Sequence, residues 1–167
     1  MPLSLLPSRI YPALSSIPPN ALLSQGIRLL MLDFDNTIVP YTTNTPSAAV
    51  QAWLREAKAS KLQICVVSNS RHGRVIAFCE ENGIDYMTRA HKPFSRGIRA
   101  CLLRYGLEAK AAALVGDQIY TDVLGANCAG VCSILIPAIH NHTIWLKLRH
   151  VAELPFIWLA RGRRVSQ

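Results

Sequence analysis

Acidic residues are scarce in this sequence: 10 Asp plus Glu stand against 18 Lys plus Arg, for a formal net charge of +8. A field of that sign favours anionic partners such as phosphate esters, nucleic acid or an anionic membrane, and charge alone does not choose among them. No CxxC pair occurs, and the five cysteines (Cys65, Cys79, Cys101, Cys128 and Cys132) are odd in number. That pattern excludes a paired disulfide framework and lacks the usual zinc-ligand spacing. All five are expected to be small buried hydrophobes in a reducing compartment. Cys128 and Cys132 suggest a metal pair, but no second pair accompanies them. No uninterrupted apolar run is long enough to cross a bilayer. The uncharged stretch from Ile10 to Ile27 is broken by Pro12, Pro18 and Pro19 and diluted by Ser and Asn. It also lacks the continuous apolar centre of a secretory signal. Aromatic residues make up only 7% of the chain and form no evident base-stacking platform, which argues against single-strand nucleic-acid binding.

What is present is a globular composition, half hydrophobic, in a length that suits one domain. Residues 1–26 form a Pro- and Ser-rich arm, expected to pack on the domain. Residues 27–142 alternate strand-like and helix-like segments. Arg28–Asp33, Leu62–Ser68, Ile84–Met87, Ala111–Gly116 and Val131–Ile136 are apolar runs of strand length. Between them lie helical patterns over Ser47–Ser60, Arg71–Asn82, Phe94–Tyr105 and Thr121–Ala129. Thr45-Pro46-Ser47 is a helix start, and Gly83, Gly106 and Gly130 are stops. Such alternation predicts right-handed crossovers and a central parallel sheet covered on both faces.

In open sheets of this kind ligands bind beyond the carboxyl ends of the strands. Here four such ends carry polar residues: Asp33-Phe34-Asp35-Asn36-Thr37, Ser68-Asn69-Ser70, Lys92 in the loop after the third strand, and Gly116-Asp117 with Thr121 and Asp122. Singly, several of these would pass for helix caps. Together they do not. Carboxylates converging at one edge repel one another unless a cation lies between them, and a hard divalent ion, Mg²⁺, suits oxygen ligands. Lys92 and Ser68 then offer a positive charge and a hydroxyl to a phosphoryl group. One carboxylate can attack phosphorus and a second can move protons.

These four segments resemble, in order, the four motifs of the haloacid dehalogenase (HAD) superfamily, over roughly residues 27–137. The resemblance implies a three-layer Rossmann-like α/β fold and an Mg²⁺-dependent phosphatase acting through an aspartyl-phosphate. It implies that Asp33 is nucleophile and metal ligand. Asp35 is general acid and then base, and binds metal through its backbone carbonyl. Ser68, Asn69 and Lys92 form the phosphate pocket, Asp117 is a metal ligand, and Asp122 supports the metal site. Thr37 positions its loop. The phrases LDFDNTIV, VVSNS, HKPFSRGIR and VGDQIYTDVLGAN resemble the YqeG-type branch of subfamily IIIA, which includes phosphatidylglycerophosphate phosphatases. Ser70 departs from that branch, which often has Asn there.

Only residues 38–46 separate the first motif from the next helix, and only a few residues precede Lys92, so no cap domain fits. The site is expected to be open, with a short flap around Tyr41–Asn44. An open site admits an anchored substrate such as an anionic phospholipid. Residues 143–167 interleave Trp145, Phe156 and Trp158 with Lys147, Arg149, Arg161, Arg163 and Arg164. This pattern suits a bilayer interface and equally a terminal helix packed on the sheet. His140, His142 and His150 are expected at the surface. The expected setting is cytoplasmic, with peripheral contact at the inner face of a membrane and organelle targeting left open. Two other readings stay in play: a phosphatase for a sugar phosphate or a nucleic-acid end, and a non-catalytic phospho-receiver. The receiver reading is weakened because its phosphorylated Asp ends the third strand, whereas this Asp-x-Asp ends the first.

Overall fold

The computed structural model describes residues 4–71 and 73–139. The basic C-terminal segment from 143 onward, His140, His142 and His150 lie outside the described residues. Six strands form one sheet in the order β1-β6-β5-β2-β3-β4, with every neighbouring pair parallel. They are β1 (Arg9–Ile10), β2 (Leu29–Leu32), β3 (Gln63–Val67), β4 (Asp85–Met87), β5 (Ala112–Gly116) and β6 (Cys132–Leu135). The helices are α1 (Pro19–Ser24), α2 (Ala48–Ala59), α3 (Gly73–Asn82), α4 (Arg96–Tyr105) and α5 (Leu124–Ala129).

The two-residue period of the strands explains the layers. On β2, Leu30 and Leu32 join a core with Ile64, Val66, Ala113 and Val115 under α2 and α3. Leu29 and Met31 point the other way, with Cys65, Val67 and Leu114, into a core closed by α4 and α5. The central strands β2 and β5 carry no polar side chain because both faces are covered. This is the expected three-layer Rossmann-like arrangement.

Helix ends follow local chemistry. The Ser47 hydroxyl accepts from the Val50 N–H and starts α2. Gly106 and Gly130 adopt the left-handed conformation that ends α4 and α5. The described part of the 1–26 arm supplies the edge strand β1 and buries Leu14, Ile17 and Leu22 in the α2-side core. Trp53 of α2 pins it by donating from Nε1 to the Ile17 carbonyl at 2.6 Å.

Three expectations need correction. Phe94 does not lie on the buried face of α4. It sits in a turn before that helix, its N–H bonded to the His91 carbonyl, and is 73% exposed. Two of the five thiols, Cys128 and Cys132, are only half-buried, because the inward face of α5 is formed by Gly125, Ala126 and Ala129 and β6 lies next to the sheet edge. The helix predicted from Thr121 begins earlier, with a π-wound turn over Ile119–Val123.

Candidate active site

The chain leaves β2 for β3 on one side and later returns to place β5 on the other. The crevice at the carboxyl ends of β2 and β5 is therefore the switch point of the sheet, the usual ligand position in such folds. Asp33 follows β2 directly, and its N–H bonds the Val115 carbonyl of β5. The next residues turn tightly: the N–H groups of Ile38 and Val39 both reach the Phe34 carbonyl, and Asn36 N–H reaches the Val39 carbonyl at 2.7 Å. Asn36 takes a positive φ of 61°, which asparagine tolerates better than most residues. Thr37 is fully buried within this turn.

Ser68 caps β3 and is buried, its Oγ accepting from the Ser70 N–H at 3.0 Å. Asn69 grips the backbone of Lys92 from both sides. Its Nδ2 donates to the Lys92 carbonyl at 2.8 Å, and its Oδ1 accepts from the Lys92 N–H at 2.7 Å. Asn69, read from sequence as a phosphate-pocket residue, thus lines the cleft and also fixes the loop that carries Lys92. The ammonium of Lys92 reaches inward to Asp33 Oδ1 and Asp122 Oδ1, each at 2.7 Å. Burial alone would lower the Lys92 pKa, but the charges of Asp122 and Asp33 outweigh it and raise it, so this lysine is charged.

Asp122 comes to this point because the π turn swings it back under β5. Its Oδ2 accepts from the Gln118 N–H at 3.1 Å. Gly116 leaves the space it needs, since a Cβ there would lie 2.3 Å from the Asp122 carboxylate. Burial pushes the Asp122 carboxyl up to about 6; the Lys92 charge opposes that rise and the Asp33 charge adds to it. Asp33, Asp117 and Asp122 are all buried, with one carboxylate oxygen from each within 4.8 Å of the others. Asp35 stands apart from that trio, ion-paired with Arg74 at 3.4 Å. The structure thus gathers Asp33, Asp35, Ser68, Asn69, Lys92, Asp117 and Asp122 at one sheet edge. Asp33, Asp35, Ser68, Asn69 and Lys92 line a cleft of about 430 Å³ together with Tyr41, Gln118 and Thr121.

Among the described residues, three buried carboxylates gather around the one buried ammonium of Lys92. Hard oxygen donors with no cysteine or histidine among them fit a divalent cation such as Mg²⁺. Loops alone join β2 to α2 and β4 to α4, so among the described residues no second domain roofs the cleft. Sequence reasoning missed Arg74. Nothing in its local pattern distinguishes it from a solvated arginine at a helix start.

The family model of the haloacid dehalogenase-like hydrolases matches residues 21–130. The chain is 29% identical over 131 residues to the probable phosphatase YqeG of Bacillus subtilis (strain 168), covering 78% of this chain and 76% of that protein. Among solved structures, a putative HAD superfamily (subfamily III A) hydrolase from Legionella pneumophila superposes with a TM-score of 0.53 at 18% identity, over 78% of this chain and 75% of that one. The cobalt-bound deoxy-D-mannose-octulosonate 8-phosphate phosphatase (YrbI) of Haemophilus influenzae gives 0.53 at 14% identity, over 75% of each chain. These two likenesses concern the fold.

Proposed function

We propose, from the premise that the chain belongs to the haloacid dehalogenase-like hydrolases, that this phosphatase moves the phosphoryl group of a lipid monoester first to Asp33 and then to water. The observation that carries the reading is the cluster of three buried carboxylates, two of them paired with the Lys92 ammonium among the described residues. An acidic nest of that kind, beside an open cleft with Lys92 and Ser68 on its wall, suits a cation and a phosphoryl group together.

An Asp33 carboxylate oxygen attacks phosphorus, and the bond from phosphorus to the ester oxygen breaks. Asp35, as a carboxylic acid, gives its proton to the departing alkoxide. The products of this half are the free alcohol and an aspartyl-phosphate on Asp33. Asp35, now a carboxylate, takes a proton from water as that water attacks the same phosphorus. Inorganic phosphate leaves and both carboxyl groups return to their starting states. Lys92 and the Ser68 hydroxyl hold the phosphoryl oxygens, and Asn69 holds Lys92 in place. The carboxylates of Asp33 and Asp117 with the Asp35 backbone carbonyl would hold Mg²⁺, and Asp122 supports that site from behind. When bound, the ion offsets negative charge on the phosphoryl oxygens.

The substrate proposed is phosphatidylglycerophosphate, reached by peripheral contact with an anionic membrane from its cytoplasmic side. Several features support this. Among the described residues no second domain roofs the cleft. Four exposed large hydrophobics lie near the same sheet edge: Tyr41 and Phe94 on loops, Tyr120 in the π-wound turn, and Ile139, whose N–H bonds the Asn36 carbonyl. The net charge is +8, and each Lys or Arg close to an anionic surface contributes about 1 kcal/mol. Among the described residues no helix is long and apolar enough to cross a membrane, so contact would be at the surface.

The test is phosphate release with Mg²⁺ from phosphatidylglycerophosphate vesicles, a sugar phosphate and a 3′-phosphorylated oligonucleotide. Release is expected from the vesicles, and loss of release with chelator or in Asp33→Asn. Faster release from the sugar phosphate or the oligonucleotide would overturn the lipid assignment. Turnover by Asp33→Asn would overturn the mechanism, and full activity in chelator the metal requirement.

A further inference from the structure

Arg74 is the second residue of α3, and it contacts Asp35 and Tyr41, which line the cleft. Its guanidinium lies near two rings, 5.2 Å from the centroid of Phe34 and 5.8 Å from that of Tyr41. Its edges are spent on one short stretch of chain. Nη1 donates to the Tyr41 carbonyl at 2.8 Å, and Nη2 donates to the carbonyls of Pro40 at 3.1 Å and Thr43 at 2.7 Å. The same Nη1 lies 3.4 Å from Asp35 Oδ1. Both side chains of that pair are 19% exposed, which partly shields the charge interaction from water.

The loop that Arg74 holds has little else to hold it. Residues 41–45 are exposed. Its other bonds among the described residues run from Tyr41 N–H to Asn36 Oδ1 at 3.2 Å, from Thr43 N–H to the Pro40 carbonyl, and from the Thr43 hydroxyl to the Thr45 carbonyl. Yet this loop carries Tyr41, which lines the cleft. A planar fork can bond three carbonyls and still lie beside a carboxylate; a lysine ammonium has the charge but not the shape.

We propose that Arg74 is a positioning residue for the reaction: a single guanidinium fixes the loop 40–43 over the cleft and orients the Asp35 carboxyl toward the leaving oxygen. The inference rests on the acid–base role given to Asp35 above. It also makes the flap part of the catalytic geometry, because displacing the loop removes the bonds that orient the guanidinium beside Asp35.

The experiment compares kcat/KM for an aryl phosphate, whose leaving group needs no proton, with that for an alkyl phosphate, whose leaving group does. Arg74→Ala is expected to lower the alkyl value by about 100-fold and the aryl value by about tenfold or less, since general acid catalysis contributes roughly 10²–10⁴-fold. Arg74→Lys, which keeps the charge and most of the stem, is expected to fall between the wild type and Arg74→Ala with the same alkyl bias. In parallel, chymotrypsin should cut after Tyr41 severalfold faster in both variants. Equal losses on the two esters, or unchanged cleavage at Tyr41, would overturn the inference. Should Arg74→Ala not fold, Arg74→Lys decides on the same two readouts. Wild-type turnover that is abolished in Asp33→Asn but untouched in Arg74→Lys would sink this inference alone. Turnover that survives Asp33→Asn sinks the mechanism on which it stands.

Discussion

Replacing Lys92 by methionine is expected to destabilise the metal-free protein by about 3–4 kcal/mol at pH 7, and by much less at pH 5. The Lys92 ammonium bonds Asp33 Oδ1 and Asp122 Oδ1 at 2.7 Å each, and its side chain is 2% exposed. Methionine keeps the apolar stem, so packing changes little. What is lost is the charge, and removing one member of a buried ion pair costs roughly 3–5 kcal/mol because the other is left uncompensated. The protein has one escape: Asp122 can take a proton. It already leans that way, with burial and the Asp33 charge pushing it up to about 6 from an ordinary value of 3.8 even while Lys92 opposes the rise. Without Lys92 that opposition disappears. The cost of protonating the carboxyl then sets a ceiling on the damage. At about 1.36 kcal/mol per pH unit above 3.8, the ceiling is roughly 4 kcal/mol at pH 7 and below 2 kcal/mol at pH 5. The sign follows from proton counting. A carboxyl whose folded pKa is raised binds more protons in the folded state, so stability falls as pH climbs from about 4 through the folded pKa. Urea unfolding in chelator at the two pH values measures this directly. The midpoint of thermal unfolding should drop by about 6–16 °C at pH 7, at 2–4 °C per kcal/mol for a chain of this size. A loss below about 1 kcal/mol at pH 7, or an equal loss at both pH values, would refute the view that Lys92 is the protein's own counter-ion to the acid nest.

Two further outcomes are expected. Asn69→Ala frees the backbone on both sides of Lys92 and should lower kcat/KM by about 10- to 100-fold with little change in thermal midpoint, because small misplacements of a positioned group are costly; steady-state rates matching the wild type would mean that Lys92 is placed by other contacts. Trp53→Phe leaves the Ile17 carbonyl without its 2.6 Å partner and should cost about 1–3 kcal/mol in urea unfolding while KM is unchanged; a loss under about 0.5 kcal/mol would argue that the arm contributes little to the stability of the domain.

Much of the fold could be read from periodicity because the sheet is covered on both sides. Runs such as LLML, ICVV and AALVG have no polar position to confuse with a surface strand. Gly106 and Gly130 marked helix ends because each takes a positive φ that other residues adopt poorly. The edge strand β1 escaped notice for the opposite reason. Two residues, Arg9 and Ile10, carry no period, and their place beside β6 depends on partners more than 120 positions away, including the Ser8 and Ser133 hydroxyls. Phe94 misled because its spacing from Ile98 and Cys101 suits a helix, while the helix itself starts only at Arg96.

The site divides along the same line. Asp33, Ser68 and Asp117 each stand one residue beyond an apolar strand, so locating the strand located the residue, and a parallel sheet brings such ends to one edge. Their identities could be seen in one dimension; their pairing could not. Lys92 meets Asp33 across 59 positions and Asp122 across 30, and Asn69 meets the Lys92 backbone across 23. Arg74 meets the flap across more than 30. Acids stand out at strand ends once several converge on one sheet edge, since singly each would pass for a helix cap. The cations that answer them arrive from helices and loops, where Lys and Arg are ordinary. Among 18 basic residues, Lys92 was marked by its motif, whereas nothing local marked Arg74. Closing the charge balance of the acid cluster, one carboxylate at a time, is what sets Lys92 and Arg74 apart among the described basic residues: each side chain is largely buried and lies within 4 Å of a carboxylate in the cleft.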